Sequence, residues 1–552
     1  MSTWRQGWVK NIFINLGLIL LGVLLFAGAF PNLLVEKGLP LFAWFAYIPV
    51  FILIRRVSLG ASPIWGALYG YSAYGLFNYW LSVFHPLAGL IVGLIYLVYL
   101  AVLFFFLKLA DLLFHRRAWL VQWVIWMAYE YLRTQGFLGY SYGITGYSQW
   151  TLIPVIQIAD TLGVWGVSAL VIFPSAWFAQ ALWETSQDAA FAGGFAGYAG
   201  ALRNFFLKEK IASLAWAGAL CAVLAYGFIT QVDYSAFPSA RIALVQHNTD
   251  PWLGGIAEYR RNYQVLRRLS DEALRADPKP DLVVWSETAF VPRIYWHITY
   301  RDDPPSWVLV RELLDYLRLQ DVPFLIGNDD ARKDPAKNPD PRDDYRVDYN
   351  AVMLFEGGDL TALYRKLHLV PFTEHFPYKK QFPRIYQALK NADTHFWEKG
   401  AEATVFSLPG FSFSSPVCFE DTFGYLSREF VRNGAEIIVN LSNDAWSKSL
   451  PAQNQHLSMA VFRAVENRRA MARSTASGQT CAVDPNGRVI AMVPPFTESW
   501  ITVEVPVMKT TTLYTRYGDF LAWFFVAAAG ALLILGLVSH IIKIVKKKSS
   551  VD

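Results

Sequence analysis

Ser414-Ser415-Pro416-Val417-Cys418-Phe419-Glu420-Asp421 closes an extended run that begins at Phe411. The run delivers a thiol to its own end and follows it with two acids. A side chain carried at a strand end sits on a rigid support. A thiol is a useful nucleophile only as thiolate, so it needs a base or a cation close by. A lone cysteine is more often a small buried hydrophobe. The reading of Cys418 therefore depends on what the rest of the chain supplies.

Around this stretch, short strand-like runs alternate with helices. Ala240–Gln246 reads as a strand, Ala257–Ala276 as a helix, and Asp281–Ser286 as a buried-type strand ending in Glu287. Trp307–Leu319 is helical and Pro323–Gly327 extended. Asp329–Asp348, charged and proline-rich, reads as a solvated loop. Tyr349–Phe355 and Leu360–Leu369 form a hairpin around Glu356-Gly357-Gly358-Asp359. After Cys418 come a helix at Ser427–Asn433, a strand at Glu436–Asn440, a helix at Ala452–Met471 and a strand pair, Thr475–Val483 with Arg488–Val493. This pattern predicts one layered α/β domain of about 270 residues, a length that fits a single core.

The flanks differ in kind. Of the 552 residues, 54% are hydrophobic and 16% aromatic, more apolar than soluble domains usually are. Apolar segments fall at 11–33, 39–54, 62–84, 88–114, 118–134, 161–183, 211–231 and 518–542. A bilayer crossing takes about 20 such residues, so about seven helices are expected before the α/β domain and one after it. Arg5 and Lys10 precede the first run, and Phe26-Ala27-Gly28-Ala29 has the look of a cleavage site. The run is long and another follows closely, so it reads as a helix. With the N-terminus inside, one set of loops holds Arg5, Lys10, Arg55, Arg56, Lys108, Arg116, Arg117, Arg203, Lys208 and Lys210, and the tail adds Lys543 and Lys546 to Lys548. The other set holds little beyond Lys37 and Arg133. Cytoplasmic loops carry the positive excess, so both termini are expected in the cytoplasm and the α/β domain outside it. The expected organisation is a membrane domain over 1–235, a catalytic domain over 240–507 and a last helix over 518–545.

Glu130 and Asp160 lie in or beside apolar runs, where acids are costly and a role is the default. Arg133–Trp150 is too polar to span and reads as an outer loop. The net charge of +5 is too mild to suggest nucleic acid. Cys221, Cys418 and Cys481 cannot build a disulfide framework. The nine histidines are scattered with no ligand spacing, so neither metal nor cofactor is expected.

Glu287 in WSET (285–288), Lys366 in YRKLHLVPFTE (364–374) and Cys418 in PVCFED (416–421) resemble the Glu–Lys–Cys triad of the nitrilase superfamily. The flanking helices narrow the likeness to the apolipoprotein N-acyltransferases, which complete bacterial lipoprotein maturation. YNAVMLF (349–355), LVPFTEHFP (369–377), NLSNDAWS (440–447) and the run from Gln455-His456 to Arg473-Ser474-Thr475 support it. The resemblance implies a multi-pass α-helical membrane domain plus an α/β nitrilase-like αββα sandwich. It implies Glu287 as general base, Cys418 as nucleophile and Lys366 as oxyanion stabiliser, with Glu374 and Glu420 as supporting acids and Trp252 near the substrate. It also implies a phospholipid acyl donor, a diacylglyceryl-modified apolipoprotein acceptor, no nucleic acid, and a monomer in the bacterial inner membrane whose catalytic domain faces the periplasm. Phe419 stands where the family often has Tyr, Thr373 replaces a common Gly, and Ser447 interrupts a WFG-like end. Ala289–Trp296 and His375–Trp397 are candidate loops that cover the site and touch lipid. The rival readings are a membrane-tethered amidase or hydrolase with the same triad, and a transporter or binding protein, for which no internal repeat among the helices is found.

Overall fold

The computed structural model describes residues 2–84, 86–187, 194–250, 252–338, 344–391 and 395–548. They divide into two units, Met1–Gln231 with Asp519–Asp552, and Val232–Gly518.

The first unit is helical. Among the described residues five helical stretches are long and apolar enough to cross a membrane: Val9–Ala29, Leu87–Leu132, Ala159–Ser186, Lys210–Ile229 and Phe520–Lys547. The 46-residue stretch is two helices, Pro86–Phe114 and Ala118–Leu132, packed together and joined by a 3-10 turn at His115–Arg117. The segment read as 39–54 is instead two short helices, Pro40–Ala43 and Ile48–Arg56. Gly194–Lys208, not among the apolar segments, is a further helix. Leu34, Ile211, Ile229 and Trp523 stand exposed on this unit, a surface that suits lipid contact better than water.

In Arg133–Trp150, the stretch read as an outer loop, residues 141–150 are buried in this unit. Glu130 explains why: its carboxylate accepts from the Thr145 amide (3.1 Å) and hydroxyl, and Tyr47 Oη meets the same hydroxyl at 2.6 Å. The Arg133 guanidinium donates to Tyr96 Oη and to the Tyr140 and Tyr142 carbonyls. Asp160 accepts from Tyr226 Oη at 2.8 Å. Both acids thus tie segments of the unit together.

The second unit is an αββα sandwich of two six-stranded sheets. Its strands are β1 (Ser239–Gln246), β2 (Leu282–Trp285), β3 (Phe324–Lys333), β4 (Arg346–Glu356), β5 (Asp359–Arg365), β6 (Val405–Leu408), β7 (Phe411–Ser414), β8 (Ile437–Ser442), β9 (Met471–Thr475), β10 (Cys481–Val483), β11 (Val489–Met492) and β12 (Ser499–Pro506). The first sheet runs β12-β1-β2-β3-β4-β5 and the second β11-β10-β9-β8-β7-β6. In each, the central strands are parallel: β1, β2 and β3 in one, β7, β8 and β9 in the other. Leu282-Val283-Val284-Trp285 and Ile437 to Ser442 are buried on both faces, as continuous apolar runs in parallel sheets should be. The sheets meet at Ser474, whose hydroxyl donates to the Val245 carbonyl at 3.1 Å. Helices Ile256–Leu274 and Pro304–Arg318 pack their apolar faces on the first sheet.

Two differences from the sequence reading have physical causes. The stretch Asp329–Asp348, read as a loop, extends β3 to Lys333 and starts β4 at Arg346, with 339–343 outside the described residues. Its acids are paired: Asp330 is buried against Arg365 and Asp348 against Arg293 (2.9 Å). Thr475–Val483 is broken, because Thr475 turns to hydrogen-bond Thr480 and Gly478 between β9 and β10.

Gly66 and Gly70, one helical turn apart on Ser62–Phe77, let that helix approach Pro86–Phe114 closely. A Cβ on Gly70 would meet the Tyr96 carbonyl oxygen at 2.3 Å, and one on Gly66 the Leu100 carbonyl oxygen at 2.4 Å. Gly70→Leu is expected to cost about 1–3 kcal/mol or more, as overpacking does, seen as a lower thermal midpoint in detergent. Gly75→Ala, where a Cβ meets nothing within 4 Å, should change the midpoint little.

Candidate active site

Three chain segments deliver the candidate residues to strand ends. Glu287 lies two residues past β2, Lys366 directly after β5, and Cys418 four residues past β7. In open α/β sheets, the carboxyl ends of parallel strands are where ligands bind. Cys418 opens a 3-10 turn, Cys418–Thr422, with a left-handed φ of 49°. Thr288, beside Glu287, has φ 47°. Non-glycine residues held there cost of order 1–3 kcal/mol and gather at functional sites.

Lys366 is wholly buried, and its ammonium donates to Glu374 Oε1 at 2.8 Å and Glu287 Oε1 at 3.3 Å. Each carboxylate is itself held. Glu287 accepts from Asn350 Nδ2 (2.8 Å) and from the Asn443 amide (2.9 Å), and Glu374 from the Val370 amide (2.9 Å). Burial alone would lower the Lys366 pKa, but Glu374 and Glu287 outweigh it and hold it above its ordinary value. Glu374 is raised by burial and pulled back by Lys366.

Cys418 is partly exposed. Its thiol pKa is pushed well up by desolvation and by Glu287, while Lys366 draws it back. At neutral pH it rests as a thiol, so a base must take its proton as it reacts. Among the charges acting on it, Glu287 and Lys366 weigh most. Glu420 fastens the turn. Its carboxylate accepts from the amides of Val417 (2.8 Å), Leu367 (2.7 Å) and His368 (2.9 Å) and from Tyr364 Oη (2.8 Å). Glu420 thus bolts the Cys418 turn to the segment bearing Lys366, and burial raises it to about 7.

Trp252 is 57% exposed, in a turn where its amide donates to Asp250 Oδ1. That turn borders a cleft of roughly 410 Å³ whose lining includes Asn248, Asp250, Ala445, Lys448 and Phe496. Trp296 faces inward, donating to Asp302 at 2.7 Å, so Ala289–Trp296 packs rather than presenting its aromatics. In His375–Trp397, of which 392–394 lie outside the described residues, Tyr378, Phe382 and Ile385 are exposed.

The sequence reading gave no role to Asn350 or to a second polar cluster behind Cys418. His456 Nε2 meets Asp421 Oδ1 at 2.7 Å and its Nδ1 meets Asp444 Oδ1 at 3.0 Å. Arg473 donates to Asp421, to Asp444 Oδ2 (3.0 Å) and to Asn440 Oδ1 (3.0 Å). Asn440, a polar residue inside the apolar run Ile437 to Leu441, was the available signal.

A family model described as carbon-nitrogen hydrolase matches residues 241–514, and one described as the apolipoprotein N-acyltransferase N-terminal domain matches 21–177. Apolipoprotein N-acyltransferase 1 of Treponema denticola is 46% identical, covering 98% of this chain and 100% of that protein. The chain belongs to the apolipoprotein N-acyltransferase family. Apolipoprotein N-acyltransferase 1 of Treponema pallidum is 45% identical over 98% of both chains. A solved amidase from Nesterenkonia sp. is more distant, at 18% identity and a TM-score of 0.35, covering 53% of this chain and 98% of that one. The chain joins a helical unit to a nitrilase fold, and its apolar helices make it an integral membrane protein.

The second cluster sets a pH dependence. Burial and the neighbouring Arg473 oppose a charge on His456, but Asp421 and Asp444 outweigh them and raise its pKa from 6.5 to about 9. A raised folded pKa stabilises fully below the unfolded value and is lost as pH climbs through the folded one. The imidazolium should therefore contribute about 3 kcal/mol below pH 6.5 that fades between 6.5 and 9. Thermal midpoints of the intact protein should fall over that window, and the fall should be absent in His456→Gln.

Proposed function

We propose that this protein transfers a fatty acyl chain from a phospholipid, through a thioester on Cys418, to the α-amine of a diacylglyceryl-cysteine at the N-terminus of an apolipoprotein. The observation that carries the reading is the wholly buried Lys366 ammonium, fixed between Glu287 and Glu374 within electrostatic reach of the Cys418 thiol.

In the first half-reaction the Cys418 sulfur attacks the ester carbonyl carbon as Glu287 takes the thiol proton. The carbonyl π electrons move onto oxygen, and Lys366 with the Phe419 amide stabilises that oxyanion. The intermediate collapses with cleavage of the ester C–O bond. Lysophospholipid leaves with the proton held by Glu287, and the acyl thioester remains. In the second half the acceptor amine attacks the thioester carbon, Glu287 removes an amine proton, and the C–S bond breaks. The sulfur takes that proton back, leaving an amide and the free thiol.

A thioester in reach of water would make the enzyme a lipase, so the site must be kept dry. The exposed Tyr378, Phe382 and Ile385 offer the second unit an apolar face for lipid. The bias of Lys and Arg in the loops supports a periplasmic catalytic unit, cytoplasmic termini and the bacterial inner membrane as the location.

Purified protein given phospholipid and a diacylglyceryl-cysteine peptide should yield N-acylated peptide and lysophospholipid in equal amounts. Free fatty acid with unmodified peptide, or ammonia from amide substrates, would favour the hydrolase reading instead. Cys418→Ala and Glu287→Gln should each lose at least about a hundredfold in rate. Glu374→Gln, which weakens the hold on Lys366, should lose about tenfold to a hundredfold.

A further inference from the structure

The cleft of roughly 410 Å³ beside the Asp250 turn is used by no step of the proposed cycle. Its lining is mostly polar: Asn248, Thr249, Asp250, Lys448 and Ser477. Lys448 pairs with Asp250 at 3.2 Å, so the lining carries no net charge. Three chain segments meet there, and each brings a non-glycine residue with a left-handed backbone: Asn248 at φ 50°, Lys448 at 44° and Phe496 at 59°. Such backbone persists only where its surroundings over-determine it, and it gathers at ligand clamps. The segments are fastened accordingly. The Asn248 amide donates to the Ala476 carbonyl at 2.7 Å, the Phe496 amide to the Ser477 carbonyl at 3.0 Å, and Asn262 Nδ2 to Thr249 Oγ1 at 2.9 Å.

Two lining side chains are left over. Ser477 is only 2% exposed, yet among the described residues its hydroxyl has no hydrogen-bond partner, and neither has the side-chain amide of Asn248. A buried hydroxyl left unmatched costs about 1–3 kcal/mol, and the cleft is the place from which a partner can come. The cleft also adjoins the base. Ala445 lines it, and the Ala445 amide donates to Asn443 Oδ1 at 3.2 Å, while the Asn443 amide holds Glu287 Oε2 at 2.9 Å. Two residues of chain span at most about 7 Å, so one wall of the cleft stands close beside the residue that fixes Glu287.

The lining decides which part of a substrate fits. Unpartnered polar groups are no seat for an acyl chain. A phospholipid head carries a phosphate anion, and the one cation here is already matched by Asp250. A peptide main chain is neutral and offers one donor and one acceptor at each residue, which a free hydroxyl and a free amide can meet. We propose that the cleft seats the polypeptide that follows the lipidated cysteine of the acceptor, held by main-chain hydrogen bonds to Ser477 and Asn248, so that the α-amine is presented to the thioester. Bonds to the main chain read no side chain, so one cleft serves acceptors of many sequences. The inference rests on the acyl-transfer reading and adds to it a seat for the acceptor that the donor does not use.

The test separates the two half-reactions in the full-length, detergent-solubilised protein. The thioester is formed with phospholipid, then discharged with either diacylglyceryl-cysteine amide or the same group extended by a short neutral peptide. Wild type should show a KM for the extended acceptor about tenfold lower, as two modest hydrogen bonds allow. Ser477→Ala should raise that KM about threefold to tenfold at unchanged kcat. Its KM for the unextended acceptor and its rate of thioester formation should match wild type. Equal KM values for the two acceptors in wild type would overturn the proposal. So would a Ser477→Ala protein that handles the extended acceptor as wild type does. Slower thioester formation in that variant, with acceptor KM unchanged, would assign the cleft to the phospholipid head and overturn it too. If Ser477→Ala does not fold, the comparison of acceptors in wild type decides alone. A wild type that forms no thioester would instead remove the acyl-transfer reading, and this inference with it.

Discussion

A lysine ammonium entirely removed from water is the constraint around which the catalytic unit is built. Burying such an ion costs several kcal/mol even after the protein relaxes. Lys366 bears that cost through two carboxylates, at 2.8 and 3.3 Å. Those carboxylates bring the same problem with them, and their other lone pairs are filled by Asn350 from β4, the Asn443 amide beyond β8 and the Val370 amide. The ammonium therefore ties the first sheet to the end of a strand in the second. Removing any one partner leaves an unmatched charge in a dry place, which is why these groups are expected to fail together.

Cys418 sits next to this arrangement under opposite demands. Desolvation and Glu287 keep it protonated, and Lys366 favours the thiolate. A resting thiolate would be open to oxidation and stray electrophiles. A thiol that loses its proton only as it attacks avoids this, and it leaves Glu287 able to serve both half-reactions of the proposed cycle. The left-handed turn at Cys418 is sustained by Glu420, which fills its carboxylate with donors from that turn and from the Lys366 segment. Behind the turn, the Asp421–His456–Asp444–Arg473 cluster completes a wall of matched charges.

The strands that lead to the site were legible from different patterns: Leu282 to Trp285 is a continuous apolar run before Glu287, and Phe411 to Ser414 alternates phenylalanine with serine before Cys418. That apolar helices lie on both sides of the α/β domain was legible from length and hydropathy alone. Long-range pairing was not. β12, Ser499–Pro506, closes the first sheet beside β1 from some 250 residues away, and nothing local marks its partner. The charged ends of β3 and β4 read as loop because their acids appear unmatched until Arg365 and Arg293 fold back onto them. Arg133–Trp150 reads as too polar to span, yet it is largely buried, with Glu130, Arg133 and a set of tyrosines satisfying its polar groups. In each case the missing fact was a hydrogen-bond partner distant in sequence. Trp252 shows the converse: a resemblance can point to a position without saying what it touches, and the side chain lies exposed in its own turn.

The most direct test of the account is the intact mass of the purified protein after incubation with phospholipid alone, before and after neutral hydroxylamine. Wild type should carry a single fatty-acyl increment that hydroxylamine removes and that an acceptor peptide discharges. Cys418→Ser should carry either nothing or an increment that neutral hydroxylamine leaves in place. Turnover of phospholipid with no acyl increment at Cys418 would contradict it.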